Sequence, residues 1–146
     1  MNKRNSAFQI FNALEKLDAV PDVVLSGTEV TGKALFCSEE IAQGCGHMGV
    51  DRLDLKPHEK FPPHTHPGHH ILYVLSGFGT VTIEEAVYTT IPGDVYLING
   101  NVLHAVSAGE RGQSLLSFGV PHKHLDSPDR MKMATPPMPT KRKRAK

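Results

Sequence analysis

An all-β protein, built as an antiparallel barrel or sandwich, is the fold class this sequence predicts. Three observations carry the prediction. From residue 33 onward the chain is a series of short runs rich in β-branched and aromatic residues, at 33–37, 48–55, 70–75, 79–83, 87–91, 94–98, 103–107 and 114–119. Gly, Pro, Asn and Asp separate these runs, and no helical period lies between them, so the strands connect by turns and lie antiparallel. The full length of 146 residues is one domain's worth, enough to close a single hydrophobic core.

The elements follow in order. Phe8, Phe11, Leu14 and Leu17 are spaced three apart, which predicts a short amphipathic helix over 5–18, capped by Ser6 and stopped by Pro21. Residues 1–20 are therefore expected as a helical extension and 21–125 as the barrel. Arg52 alternates with apolar residues on its strand, which sends it into the barrel cavity to meet an anion or out to the surface. In the run 70–75, alternation puts His70, Leu72 and Val74 on one face and Ile71, Tyr73 and Leu75 on the other. Residues 76–81 form a glycine-rich hairpin, with Gly77 and Gly79 around Phe78 in a β-turn. No helix follows, which excludes a phosphate cradle. Glu84 and Glu85 sit in the next hairpin turn, with no cleft that would make them a catalytic carboxylate pair. After Val120 the chain gathers prolines and loses periodicity. It is expected to cover one barrel edge first, with 126–146 a disordered, Pro-rich and basic tail.

Charge and composition narrow the function. A charged fraction of 21% and a hydrophobic fraction of 39% are ordinary for a soluble globular chain. The net charge of +1 conceals a basic end: residues 141–146 hold five of the sixteen Lys and Arg. So short a run, without interleaved aromatics, reads as a solvated tail, and nucleic acid is not expected as a partner. No apolar stretch approaches the length of a membrane span, and the N-terminus lacks the continuous apolar core of a signal peptide. Cys37 and Cys45 are then expected to be reduced and partly buried rather than bridged, in a cytoplasmic protein.

The histidines point to a metal. Four of the nine fall within 64–70. His64 and His66 are two apart in an extended segment and project side by side. A Pro67-Gly68 turn then returns the chain to the sheet with His70 facing inward, and His104 lies in a remote strand-like run. Two close ligands plus one or two remote ones, all on rigid strands, is how a metal site is built into a barrel. His69 is expected to face outward. His58, His122 and His124 fall on turns or on the trailing segment and are expected to be exposed, with a fold-back of His122 or His124 over the barrel mouth as the alternative.

Two stretches resemble the motifs of the cupin superfamily, over roughly residues 45–120. His64-Thr65-His66 is followed by three residues, His70, six residues and Gly77, where the family has His-x-His, Glu and Gly at the same spacing. Gly93 is followed by five residues, Asn99-Gly100-Asn101, two residues and His104, where the family has Gly, Pro-x-Gly and His. The chain departs from the family at His58 for a leading Gly, His70 for Glu, Asn99 for Pro, Asn101 for Gly and Ala108 for a final Asn. The resemblance implies a double-stranded β-helix, or jelly-roll, barrel. It also implies one divalent transition metal per chain (Fe, Mn, Ni, Zn or Cu), held by His64, His66, His70 and His104. With His70 in place of the carboxylate, such a site keeps the ion's full charge and favours an anionic substrate oxygen. A homodimer is expected, joined through the N-terminal helix or the first strands. Two function classes follow. One is a metal-dependent enzyme, dioxygenase-like or an isomerase or lyase, acting on a small oxygenated anionic substrate. The other is a non-catalytic, metal-stabilised module that binds a small molecule or regulates.

Overall fold

The structure, a computed structural model, describes residues 9–134. Nine strands are arranged in chain order: β1 (Val23–Val24), β2 (Thr31–Cys37), β3 (Gly49–Leu55), β4 (Lys60–Thr65), β5 (His69–Ile83), β6 (Ala86–Thr90), β7 (Val95–Ile98), β8 (His104–Val120) and β9 (Lys132–Met133). All pair antiparallel in one curled, barrel-like sheet, and no helix occurs among the described residues. The fold is the all-β class that the short strand-like runs predict.

Two long strands organise the sheet. Where the sequence divides 70–75 from 79–83, and 103–107 from 114–119, the chain runs on: β5 has 15 residues and β8 has 17. They pair from His69↔Val120 to Ile83↔His104, with register shifts between Val74 and Ser76 and between Gly77 and Gly79. Each shift is a bulge that bends the ribbon, so residues 76–81 make a bend inside a strand and not a hairpin. Gly77 is required there. Its φ is 76°, and a Cβ would collide with the carbonyl oxygen of Gly112 on the facing strand. The opposite edge of β8 pairs with β3 over Gln113–Gly119 and with β4 over His104–Ser107.

Alternation along β5 turns His70, Leu72 and Val74 inward, as the sequence pattern predicts, against a core that includes Leu53, Phe61, Ile98, Val106 and Leu115. Strand β4 escapes sequence reading because Pro62 and Pro63 sit in it. The prolines occupy an irregularity between Phe61 and His64, where the ladder to β8 is interrupted and no N–H is called for.

Both ends of the chain depart from expectation. The described part of the expected helix, from residue 9, forms turns instead. Asn12 accepts the Leu14 N–H on its side chain (3.0 Å) and the Glu15 N–H on its carbonyl (3.1 Å), and Leu17 has φ 54°. The carbonyls of Ala13 and Glu15, which a helix would use for its own N–H groups, accept from Nη1 of Arg52 at 3.3 and 2.6 Å. A buried guanidinium makes stronger, charge-assisted bonds than a marginal helix of this length offers those carbonyls. Arg52 therefore lies neither in the cavity nor on the surface, and Phe11 packs edge-on to Phe36 with ring centroids 5.1 Å apart. Ser6 and Phe8 lie outside the described residues. At the other end the trailing segment does cover a barrel edge: β9 pairs with β4 at His64↔Met133 and Thr65↔Lys132. Its order continues past residue 126, with Arg130 buried. The basic run 141–146 lies outside the described residues.

Cys37 and Cys45 are free, and both are exposed rather than partly buried. Cys37 ends β2, and Cys45 sits in the turns before β3. No helix among the described residues is long and apolar enough to cross a membrane.

Gly77→Ala tests the bend. Left-handed backbone plus the overlap with Gly112 should cost about 2 kcal/mol or more, read as a lower urea midpoint with an unchanged slope. A midpoint equal to the parent's would show that the β5–β8 ribbon does not depend on this glycine.

Candidate metal centre

The register of β4 on β8 sets His64 directly opposite His104, and His66 follows two residues on along the same face. Each of the three imidazoles is held by its own local carbonyl. His64 Nδ1 donates to Pro62 O at 2.7 Å, His66 Nδ1 to Gly68 O at 2.8 Å and His104 Nδ1 to Val102 O at 2.8 Å. A carbonyl only accepts, so Nδ1 carries the proton in each ring and Nε2 presents a lone pair.

Those lone pairs converge. His66 Nε2 lies 3.2 Å from His104 Nε2, in a buried setting, and the nitrogens of all three histidines lie within 4.8 Å of one another. Two nitrogen lone pairs facing at that distance repel unless a cation lies between them. Nitrogens bound at roughly 2.0–2.1 Å to one ion stand about 3 Å apart, so the spacing suits a shared metal. His64, His66 and His104 could hold one.

His70, the fourth ligand expected from the sequence, lies beside this group rather than in it. Its ring stacks on that of His66, with centroids 4.0 Å apart and 33° between planes, and Nδ1 meets Ser117 Oγ at 3.2 Å. Its Nε2 faces β8, where a Cβ on Gly119 would sit 3.3 Å away. The cause is register: His70 pairs with Gly119 near the far end of β8 from His104, and with Ile98 on β7.

Burial keeps the cluster neutral. It lowers His64 to about 3, aided by the nearby His104, and lowers His66 to about 4 with the same neighbour contributing. Burial, then the charge of His66, takes His70 to about 2. Burial lowers His104 as well. The cavity between them is only about 30 Å³, lined by the four histidines, by Phe61, Leu72, Ile98 and Val106, and by Arg130 and Met131 of the trailing segment.

A buried ion cluster behind the cavity was not found by sequence reasoning. Asp51 on β3 accepts on Oδ2 from His122 Nε2 at 2.9 Å and from Arg130 Nη1 at 3.1 Å; Nη1 also donates to the Lys123 carbonyl. The His122 side chain is thus 5% exposed, not solvated as its place on the trailing segment suggests. Its ring lies flat against Gly49, where any Cβ would overlap it. One signal was available. Asp51 shares the parity of Leu53 and Leu55, so the alternation that buries those leucines also buries a carboxylate, which demands a cation. His58, His69 and His124 are exposed, as expected.

The neutral cluster makes a pH prediction. Below about 6.5 the unfolded chain's imidazoles take up protons that folded His64, His66 and His70 refuse until about 4 to 2, so stability is full above 6.5 and falls as pH drops. Each of the three should contribute up to about 1.4 kcal/mol per pH unit between pH 6 and 4. Urea midpoints of metal-free protein that stay flat across that range would contradict the neutral, buried placement.

No protein with a curated description matches the chain. Its fold is similar to a cupin-2 domain from Rhodospirillum rubrum, at 18% identity and a TM-score of 0.67, covering 88% of this chain and 84% of that one. It is also similar to a protein with a double-stranded β-helix domain from Klebsiella pneumoniae, at 18% identity and a TM-score of 0.62, covering 88% and 98%. A third similar structure is the polyketide cyclase RemF from Streptomyces resistomycificus, at 20% identity and a TM-score of 0.60, covering 77% and 81%. At these identities the likeness is one of fold. Residues 51–116, the stretch that holds all four of the cavity histidines, match the cupin domain family. The chain belongs to the cupin superfamily.

Proposed function

We propose that this cupin binds one divalent transition metal per chain through His64, His66 and His104 and is a metal-dependent enzyme for a small oxygenated anion. The observation that carries the reading is the convergence of nitrogens from three imidazoles, each of which spends its Nδ1 proton on a backbone carbonyl. Three protein ligands leave coordination positions open, the arrangement of catalytic rather than structural sites. When bound, the ion supplies Lewis acidity toward a carboxylate, enolate or similar oxygen, and in a dioxygenase-like reaction a place for O₂. The chain's own part is to hold the imidazoles neutral and fixed, and to exclude water with Phe61, Leu72 and Val106. His70 stacks on His66 as a neutral wall and holds its orientation.

One observation favours the non-catalytic alternative, a metal-stabilised binding or regulatory module. A cavity of about 30 Å³ takes one or two groups the size of a water, far below an ordinary substrate pocket. Turnover therefore requires a very small reacting group or movement of the segment that carries Arg130 and Met131. An oxygen-electrode and product screen with small hydroxy and keto acids separates the two, since a module consumes none of them.

The outer sheet face supports pairing with a second copy. Leu97, Ile71 and Phe118 form one cross-strand row over β7, β5 and β8, with Val95 and Tyr73 in the next. These five are between 37% and 62% exposed, and none is charged. That is roughly 400 Å² of apolar surface, near the most a monomer leaves to water, and a twofold axis would set the row against itself. The two exposed free thiols fit a reducing, cytoplasmic setting.

Two outcomes check these readings. Protein purified without chelators or nickel resin should carry about one metal per chain, and His64→Ala with His66→Ala should remove nearly all of it. His70→Ala should keep it, whereas loss would place His70 among the ligands. Ile71→Lys with Phe118→Lys should convert a sedimenting dimer to monomer, and a parent that sediments as a monomer at micromolar concentration would end the dimer proposal.

A further inference from the structure

Arg130 is a cation buried to 4% exposure on the wall of the histidine cavity, carried there by the trailing segment. Its evident partner is Asp51, yet the pair is not built as a neutralising pair should be. A guanidinium that serves a carboxylate takes both oxygens with both arms of its fork. Here Nη1 alone reaches Asp51, at Oδ2, and the same nitrogen donates to the Lys123 carbonyl. Asp51 Oδ1 is buried without a partner, while His122 already serves Oδ2. The Nε–Nη2 edge, the side of the fork that grips carboxylates, makes no hydrogen bond among the described residues. Asp51 and the Lys123 carbonyl thus pin one corner of the guanidinium and leave its other edge without a partner among the described residues, on a side chain that lines the cavity.

We propose that Arg130 is the anion-recognition residue of this cavity, and that its ligand is a small monocarboxylate or an anion of that shape. One oxygen of the ligand lies on the Nε–Nη2 edge, and the other faces the open side of His64, His66 and His104. The proposal rests on the metal reading above and names its ligand class. Charge agrees: three neutral imidazoles leave a divalent ion uncompensated, and the Arg130–Asp51 pair adds nothing net, so the site lacks negative charge. Size agrees as well, because about 30 Å³ admits a carboxylate head and little more. The positive field of Arg130 reaches His64, His66 and His70, which places it within electrostatic range of the same centre.

The test is formate titration of the Co(II)-loaded full chain, followed by visible absorption, beside Co(II) affinity by chelator competition. Arg130→Gln should raise the formate dissociation constant about tenfold or more while changing Co(II) affinity less than about threefold. An unchanged formate constant with cobalt bound overturns the proposal and leaves the metal reading standing. Should the parent take up no cobalt, the metal reading fails by itself, and ¹³C-formate line widths with metal-free protein decide the role of Arg130. Broadening lost in Arg130→Gln supports it, and equal broadening overturns it. If Arg130→Gln does not fold, Arg130→Lys keeps the charge and removes the fork. Formate should then weaken about threefold or more, because its oxygen loses one of two N–H donors, while Co(II) affinity changes less than about threefold. An unchanged formate constant overturns the proposal.

Discussion

The pairing of β4 with β8 is the constraint on which the site depends. Opposing His64 to His104 is a property of register, and a slip of β4 by one residue would turn His64 out of the barrel. Two features hold the register. The prolines at 62 and 63 confine the irregularity to one place in the ladder, and Phe61 anchors the strand in the core on the near side of it. The carbonyl of Pro62, freed from the ladder, is the acceptor that orients the His64 ring. The same irregularity that hides β4 from sequence reading thus supplies the atom that aims its first imidazole.

A second constraint lies one layer behind. Asp51 is a fully buried carboxylate on a central strand, and such a charge is tolerated only with partners. Both partners, His122 and Arg130, come from the trailing segment, far along the chain. Desolvation therefore makes the barrel and its C-terminal covering interdependent: without the segment, β3 would hold an unpaired charge. The glycine at 49 belongs to the same arrangement, since only a bare backbone leaves room for the His122 ring.

What could be read from the sequence, and what could not, divides along local and distant causes. The inward face of β5, the side-by-side placement of His64 and His66, and the distant His104 follow from alternation and spacing, which are local. The N-terminal helix was misread because its apolar spacing is sound but its carbonyls are claimed by Arg52, a residue 37 positions beyond Glu15. His70 sits on the expected inward face, yet the pairing sets it opposite Gly119, near the other end of β8 from His104, and alternation carries no information about register between strands. The long strands β5 and β8 were each divided in two because glycine marks a bend as readily as a turn. His122 and Arg130 lay in a proline-rich stretch with no period, where only the unpaired parity of Asp51 hinted that a cation was owed.

The trailing segment is joined to β4 itself, through β9, at His64 and Thr65. With β9 docked there, the strand that carries His64 is gripped along both edges, by β8 on one side and by β9 on the other. The covering segment thus acts as a splint on the strand it covers, and loosening it frees one edge of β4 where the first imidazole sits.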